Sequence, residues 1–268
     1  MRDSASKTGR NSGIPDAATR NSRSARLAGA LLPHPSGKAR ALFDFARSPY
    51  LGLVYIFVFP PYFANTVIGD PVRGQEAWSF ANTMVGVCVA LFAPLLGAMS
   101  DRMGRRKPWL GLVVAIMAPC CFALWYAMPG AQGGLSVNAI LILVIVLASC
   151  FQFSEVFYNA LLASIASPQR IGGLSGLGIA VGNCGTLLAL VVMLFGVALP
   201  AAGITLGGLL PAHPLFGLNP ATQEHNRIAG PAAGLWLIAF SIPLWLWLPD
   251  RPSKATRSRG DTRSSHRS

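Results

Sequence analysis

Acidic residues are scarce in this sequence, and long stretches of it carry no charge at all. Asp and Glu account for 10 of 268 residues, and all charged residues together make up 12%. A bilayer core requires about 20 consecutive apolar residues in a helix, because backbone polar groups in lipid must be hydrogen-bonded within the segment itself. The lack of charge therefore argues against a soluble domain and predicts a multi-pass helical membrane protein. The charge-free stretches are 48–69, 77–100, 108–154, 171–223 and 228–249.

Residue patterns that hold metals or carry out catalysis are also missing. The five cysteines, at positions 88, 120, 121, 150 and 184, all fall in charge-free stretches and lack C-x-x-C spacing. The run Gly173-Leu174-Ser175-Gly176 resembles the serine motif of rhomboid intramembrane proteases. However, the last charge-free stretch contains no histidine that would activate Ser175. We therefore expect no metal, no cofactor and no enzymatic activity.

Basic residues are plentiful but unevenly placed, with 22 Lys and Arg and a formal net charge of +12. In a soluble protein this excess would suggest binding to nucleic acid phosphates. Here nine of them precede Ser48 and six follow Pro249, in Ser- and Arg-rich tails without apolar periodicity. We expect residues 1–48 and 249–268 to be disordered cytoplasmic tails that lie against anionic lipid headgroups. Nucleic acid is not an expected partner.

The apolar stretches divide into six predicted spans, which form a bundle over residues 49–248. Short loops between the spans would leave 20 of the 22 Lys and Arg residues on one side of the membrane, with only Arg73 and Arg227 on the other. Because basic residues resist translocation, the basic side is the cytoplasmic side. Both termini are thus predicted to be cytoplasmic, in a cell (inner) membrane. The predicted spans are 50–69, 77–99, 109–128, 137–158, 174–199 and 232–248.

The stretch GAMSDRMGRRKPW, residues 97–109, gathers five charged residues into the turn between the second and third predicted spans. Its spacing, G-x-x-x-D-R-x-G-R-R, resembles the signature loop of the major facilitator superfamily. The resemblance implies a cytoplasmic gate in which Asp101 closes against a second half of the transporter. A glycine at 97 permits close helix approach, and one at 104 permits a turn with positive φ. The defining positions are Gly97, Asp101, Arg102, Gly104, Arg105 and Arg106.

Two further blocks are similar to one branch of that superfamily. They are FDFARSPY running into FPPYFANTV, and FYNALLASIASPQRIGGLSGLGIAVGN. Both resemble the branch named for the vacuolar amino-acid effluxer of fungal autophagy, although members typically show D-W-A-N-S where this chain has Asp44-Phe45-Ala46-Arg47-Ser48. The resemblance implies an all-α fold, the N-terminal half of a transporter made of two inverted three-helix repeats. It also implies a permease of small solutes, with amino acids or related efflux as the first class to test.

A few polar or helix-breaking residues inside the spans are candidates for the solute path or for coupling. Pro60 and Pro61 must interrupt the first span, and broken helices often expose backbone to a substrate; a simple kink is the alternative. Glu155 is the one ionisable residue well inside a predicted span, which fits either proton coupling or an ion pair with Arg102, Arg105 or Arg106. Three asparagines complete the candidates: Asn65, Asn159 and Asn183.

Six spans are half of the twelve that the resemblance implies. We expect a truncated product, one half of a split transporter, or a six-span chain that forms a homodimer. The expected partners are membrane lipids, a small-molecule solute, and either a second six-span half or a second copy. The competing functional class is a six-span scaffold or regulatory subunit that does not transport.

Overall fold

The computed structural model describes residues 35–103, 107–129, 133–165 and 168–247. Within these ranges all regular elements are helices. The α-helices are α1 (Pro35–Tyr50), α2 (Phe59–Tyr62), α3 (Pro71–Met103), α4 (Lys107–Ala123), α5 (Val137–Ile165), α6 (Pro168–Met193), α7 (Leu199–Ala201), α8 (Glu224–Arg227) and α9 (Ala229–Trp247). Wider π-helical segments cover Leu51–Phe57, Phe63–Ile68 and Leu194–Ala198, and 3₁₀ turns cover Leu124–Tyr126, Leu206–Gly208 and Leu215–Gly217.

Five helical stretches among the described residues are long and apolar enough to cross a membrane. They correspond to the first five predicted spans, so a multi-pass helical membrane protein is confirmed. The sixth predicted span coincides with the 19-residue helix α9, which is not one of those five, and the count of six stays a prediction. The five stretches are Ala41–Ile68, Pro71–Met99, Lys107–Tyr126, Val137–Asn159 and Gly172–Ala201.

The first helix begins at Pro35, earlier than the predicted boundary between tail and bundle. Residues 35–48 are therefore helical, which corrects that part of the predicted disordered tail; residues 1–34 and 248–268 lie outside the described ranges. The charged residues that suggested a tail, Asp44 and Arg47, are buried and bonded to each other. Phe43, Ala46 and Tyr50 are buried beside them, at the three- and four-residue spacing of one helical face.

The first span bends at Val58 and changes its hydrogen-bonding pattern at the predicted prolines. Pro60 and Pro61 lie in the four-residue helix α2, with a π-helical segment on each side. A proline nitrogen has no hydrogen to donate, so the carbonyls one turn earlier lose their regular partners. The wider hydrogen-bonding pattern on either side is consistent with that loss.

The helices pack in a defined set of pairs. Helix α1 packs against α6 and α9, α3 packs against α5, and α4 packs against both α5 and α9. Glycines allow some of the closest approaches: a Cβ at Gly111 would lie 2.5 Å from Trp245 Cη2, and one at Gly230 would lie 2.6 Å from the Cys121 carbonyl oxygen. In the most apolar 18-residue window of the second span only 11% of residues are buried, so much of α3 is uncovered by the described residues.

Candidate functional site

A charged cluster lies between α1 and α5, and Arg47 is at its centre. Its Nη2 donates to Asp44 Oδ1 at 2.7 Å and to Glu155 Oε1 at 2.6 Å. Its Nε also donates to Asp44 Oδ1, at 3.0 Å, and its Nη1 reaches Ser154 Oγ at 3.4 Å. The planar guanidinium thus uses its fork of donors to bind two carboxylates at once. One carboxylate comes from its own helix and the other from the fourth span.

Aromatic rings enclose the guanidinium. The Cζ of Arg47 lies 5.0 Å from the Phe151 ring centroid and 5.2 Å from that of Tyr158. The Tyr158 hydroxyl donates to Asp44 Oδ2, so the second oxygen of that carboxylate is also bonded. The side chains of Arg47 and Asp44 are 7% and 5% exposed, whereas that of Glu155 is 38% exposed. Buried ions are tolerated only when paired and hydrogen-bonded in this way.

Glycines of α6 close the cluster from a third side. A Cβ at Gly178 would collide with Asp44 Oδ2 and lie 2.7 Å from the Tyr158 hydroxyl oxygen. A Cβ at Gly182 would lie 2.5 Å from Ser48 Oγ. The Gly178-x-x-x-Gly182 spacing is typical of close helix packing. It brings the backbone of the fifth span against the charged residues of the first.

The exposed side of the cluster continues as a polar row on α5. Gln152 and Asn159 are exposed, and Glu155 between them is partly exposed. Their spacing of three and four residues places all three on one face of the helix. Polar side chains at membrane depth face a water-filled cavity or another protein surface rather than lipid. Two of the predicted site residues, Glu155 and Asn159, therefore share this face.

The other predicted path residues lie apart from the cluster. Asn65 and Pro61 are exposed on the first span, and Pro60 is half-buried there. Asn183 is exposed on α6, next in sequence to Gly182. Among the described residues, the groups bonded to Arg47 and Asp44 include neither Asn65 nor Asn183.

Glu155 forms an ion pair with Arg47. The sequence left open either proton coupling or an ion pair with Arg102, Arg105 or Arg106, and the side chains of those three arginines lie outside the described set. Long side chains bridge α1 and the fourth span: Arg47 reaches Glu155, and the ring centroids of Tyr50 and Phe151 lie 5.6 Å apart. Asp44 and Arg47 were not among the candidate site residues. The sequence does contain a pattern that predicts their pairing. They are opposite charges three residues apart, flanked by Phe43 and Tyr50, and that spacing brings two side chains together on a helix.

The signature loop is described only in part. Helix α3 contains Gly97, Asp101 and Arg102, but the side chains of the last two, and residues 104–106 entirely, lie outside the described set. A Cβ at Gly97 would be 3.9 Å from Val156 Cγ1, an ordinary contact, so a glycine is not required there by its neighbours. Directly after the loop, Lys107 Nζ donates to the Trp245 carbonyl oxygen at 2.7 Å, which joins the start of α4 to the end of α9.

Comparison with known proteins gives two matches. Residues 58–241 match the sequence model of the family described as MFS/sugar transport protein. A 166-residue segment is 24% identical to the uncharacterized MFS-type transporter YxiO of Bacillus subtilis (strain 168). That alignment covers 60% of this chain and 37% of the relative, so the chain spans well under half of the relative's length. The predicted superfamily is confirmed, and the vacuolar effluxer branch stays a prediction.

Proposed function

The chain belongs to the MFS/sugar transport protein family, and on that premise we propose that it moves a small solute across a membrane by alternating access. The observation that carries the proposal is the Asp44–Arg47–Glu155 cluster, which joins two spans through ions that must separate if those spans move apart. Such bistable ionic contacts are typical of elements that change position between two states. Transport, rather than catalysis, is the activity that this arrangement fits.

The helix pairs support two inverted three-helix repeats. We count α1 and α2 together as the first span and α9 as the sixth. The first span then packs against the fifth and the sixth, the fourth packs against the second and the third, and the third packs against the sixth. If spans one, two and three are renumbered four, five and six, and the reverse, the same set of packed pairs results. This symmetry is the one expected of two three-helix repeats. Inverted repeats of this kind place the solute site near their interface, at the bilayer midplane.

We further propose that Glu155 couples transport to a proton. The two carboxylates of the cluster outnumber the single guanidinium, and Glu155 is the more exposed carboxylate. A proton taken up from the aqueous side would neutralise Glu155 and weaken its bond to Arg47. The remaining Asp44–Arg47 pair is then neutral and stays bonded within α1. The contact between the first and fourth spans would loosen, and the first span would be free to shift.

The solute path in this proposal follows the exposed polar positions. Glu155 and Asn159 on α5, Asn183 on α6, and Asn65 near Pro60 and Pro61 would contact solute in turn. The family description names sugar transport, and the resemblance implied amino acids or related efflux. The substrate is therefore a small polar solute of one of these two classes.

The signature loop would act as the cytoplasmic gate. In the proposed mechanism Asp101 accepts hydrogen bonds from a facing helix N-terminus, where the helix dipole favours an anion, and the adjacent arginines hold the loop against the second half. The glycine at 104 would permit the turn of the loop. Replacing Asp101 with Asn should reduce transport while leaving membrane insertion normal. Unchanged transport by this variant in a reconstituted complex would contradict the latch.

A second half would cover the polar row on α5, because polar side chains at membrane depth do not face lipid. We propose that it is either another six-span chain or a second copy of this one, in an inner membrane with both termini cytoplasmic. Fusions of alkaline phosphatase or a fluorescent protein to each terminus would test the orientation. Phosphatase activity at either end would reverse the proposed topology.

The decisive experiment is uptake into proteoliposomes that contain the native complex. Labelled amino acids and sugars are tested across a pH series, with the wild type, Glu155→Gln and Glu76→Gln. Glu76 is an exposed acid of α3, and its variant controls for loss of a charge outside the cluster. We expect Glu155→Gln alone to abolish the pH dependence. Normal pH dependence in Glu155→Gln would rule out proton coupling, and a complex that moves no solute of either class would favour the scaffold.

A further inference from the structure

The connection between α7 and α8 has an unusually apolar surface. It contains no charged residue, because none occurs between positions 171 and 223. Leu209 and Phe216 are each 87% exposed, and the structure also exposes Ile204, Leu206 and Leu215. We refer to residues 202–218 as the apolar loop. Loops at an aqueous surface rarely present several large apolar side chains together.

The backbone of the apolar loop holds these side chains outward. Leu206 and Phe216 have φ values of 43° and 64°, a left-handed conformation that is uncommon for residues other than glycine. Pro214 and Leu218, on either side of Phe216, are buried. The loop thus has a fixed base, and the exposed position of Phe216 follows from the fold rather than from a lack of order.

The depth of the loop is set by its contact with the fifth span. A Cβ at Gly196 would lie 2.5 Å from Leu215 Cδ1, so Leu215 packs on the helix at that residue. Gly196 lies five residues before Ala201, where the span ends. At the rise of an α-helix this is roughly 7 Å inside the span. The loop therefore folds back along the span, and Phe216 lies next to a residue at membrane depth.

The exposed apolar surface of the span leads directly into the loop. Side chains of α6 and the π-helical segment after it are exposed, and the loop extends the same kind of surface beyond Ala201. In a membrane protein this outer surface of a span faces lipid. The exposed residues before the loop are Leu187, Leu188, Val191, Val192, Leu194 and Phe195.

We propose that the apolar loop is an interfacial membrane anchor, in which Leu209 and Phe216 insert among lipid acyl chains at the end of the fifth span. Apolar side chains presented on one surface bind the boundary between headgroups and acyl chains in this way. The loop would fix the depth of the fifth span in the bilayer. The proposal requires only that the chain crosses a membrane, so it stands apart from the transport mechanism and from the orientation.

Photo-crosslinking in lipid nanodiscs tests the anchor. The benzophenone amino acid p-benzoylphenylalanine is introduced singly at Leu209, at Phe216 or at His213, and the protein is irradiated in discs of phosphatidylcholine and phosphatidylglycerol. His213 is an exposed polar residue of the same loop and serves as the matched control. Intact-mass analysis then separates lipid adducts from cross-linked chains. Monodisperse elution before irradiation confirms that each variant is folded.

Positions 209 and 216 should give about five-fold more lipid adduct than position 213, because benzophenone reacts with C–H bonds within reach and acyl chains lie at the interface. Equal yields at all three positions would overturn the proposal. So would cross-linked dimers as the main product at 209 and 216, since they would show that a second copy covers the loop. If one substituted position prevents folding, the other still decides between these outcomes.

Discussion

At the scale of single residues, Arg47 is the side chain on which most of the described site depends. It bonds Asp44, Ser154 and Glu155 and stacks between two aromatic rings. Removing one partner of a buried ionic set leaves the others uncompensated, which is more damaging than removing the whole set. The same logic does not apply to exposed pairs, where water replaces the lost partner.

Replacing Arg47 with Ala should therefore lower the free energy of unfolding by about 3–5 kcal/mol. Arg73→Ala is the control, since Arg73 and Asp70 form an exposed pair at 3.7 Å, and it should cost less than about 1 kcal/mol. Thermal unfolding of both variants in mild detergent measures the difference. Equal losses would mean that the cluster does not stabilise the fold.

His225 and Glu224, which follow the fifth span, should make the stability of the segment around them depend on pH. Burial lowers the pKa of His225 below its usual 6.5, and the Asn219 N–H bonded to its carboxylate lowers the pKa of Glu224 below its usual 4.5. In both cases the folded state disfavours the protonated form, so stability is present at higher pH and is lost as pH falls. The His225 contribution declines first, below its unfolded pKa.

Amide hydrogen exchange at residues 219–227 should accordingly quicken between about pH 7 and about pH 5, after correction for the intrinsic rate. A His225→Gln variant should lose most of that change, because glutamine does not titrate. Exchange that is independent of pH in the wild type would show that the loop opens without regard to the protonation of His225.

At the scale of helices, charge-free length was a sound guide to where the spans lie but a poor guide to where they begin. The rule placed the first span after Arg47, since it treats each charge as a boundary. The helix instead includes Asp44 and Arg47 because they neutralise each other within one turn. The irregularity of the helix at Pro60 and Pro61 was predictable from the missing donors of proline. The π-helical segments were not, since they depend on how the freed carbonyls are satisfied in three dimensions.

Glycine positions on α6 offer a direct test of helix packing. A methyl group at Gly178 would meet Asp44 and Tyr158, whereas one at Gly176 would meet no atom within 4 Å. Gly178→Ala should therefore cost about 1–3 kcal/mol of stability through overpacking, and Gly176→Ala should not destabilise the protein. Comparing their unfolding temperatures in detergent tests the α1–α6 contact. Similar behaviour of the two variants would place α6 at a greater distance from α1.

At the scale of the whole molecule, the exposed polar row on α5 argues for assembly. The mass and stoichiometry of the detergent-solubilised native complex, purified through a tag on this chain, should show a dimer or a complex with a second six-span chain. A stable monomer that nevertheless transports solute would contradict the proposed second half.

Superfamily and helical class were predictable from the signature spacing and the apolar lengths. The Arg47–Glu155 pair was not, because 108 positions separate its members.

The carboxylates of Asp44 and Glu155 differ in solvent exposure, so they should react with a carboxyl-specific reagent at different rates. Asp44 is enclosed by Arg47, Tyr158 and the backbone of Gly178, while Glu155 is partly open. A water-soluble carbodiimide with an added amine should therefore amidate Glu155 quickly and Asp44 slowly. Peptide mass spectrometry over time would follow both sites. A solute that protects Glu155 from the reagent would report occupancy of the site without any transport being measured.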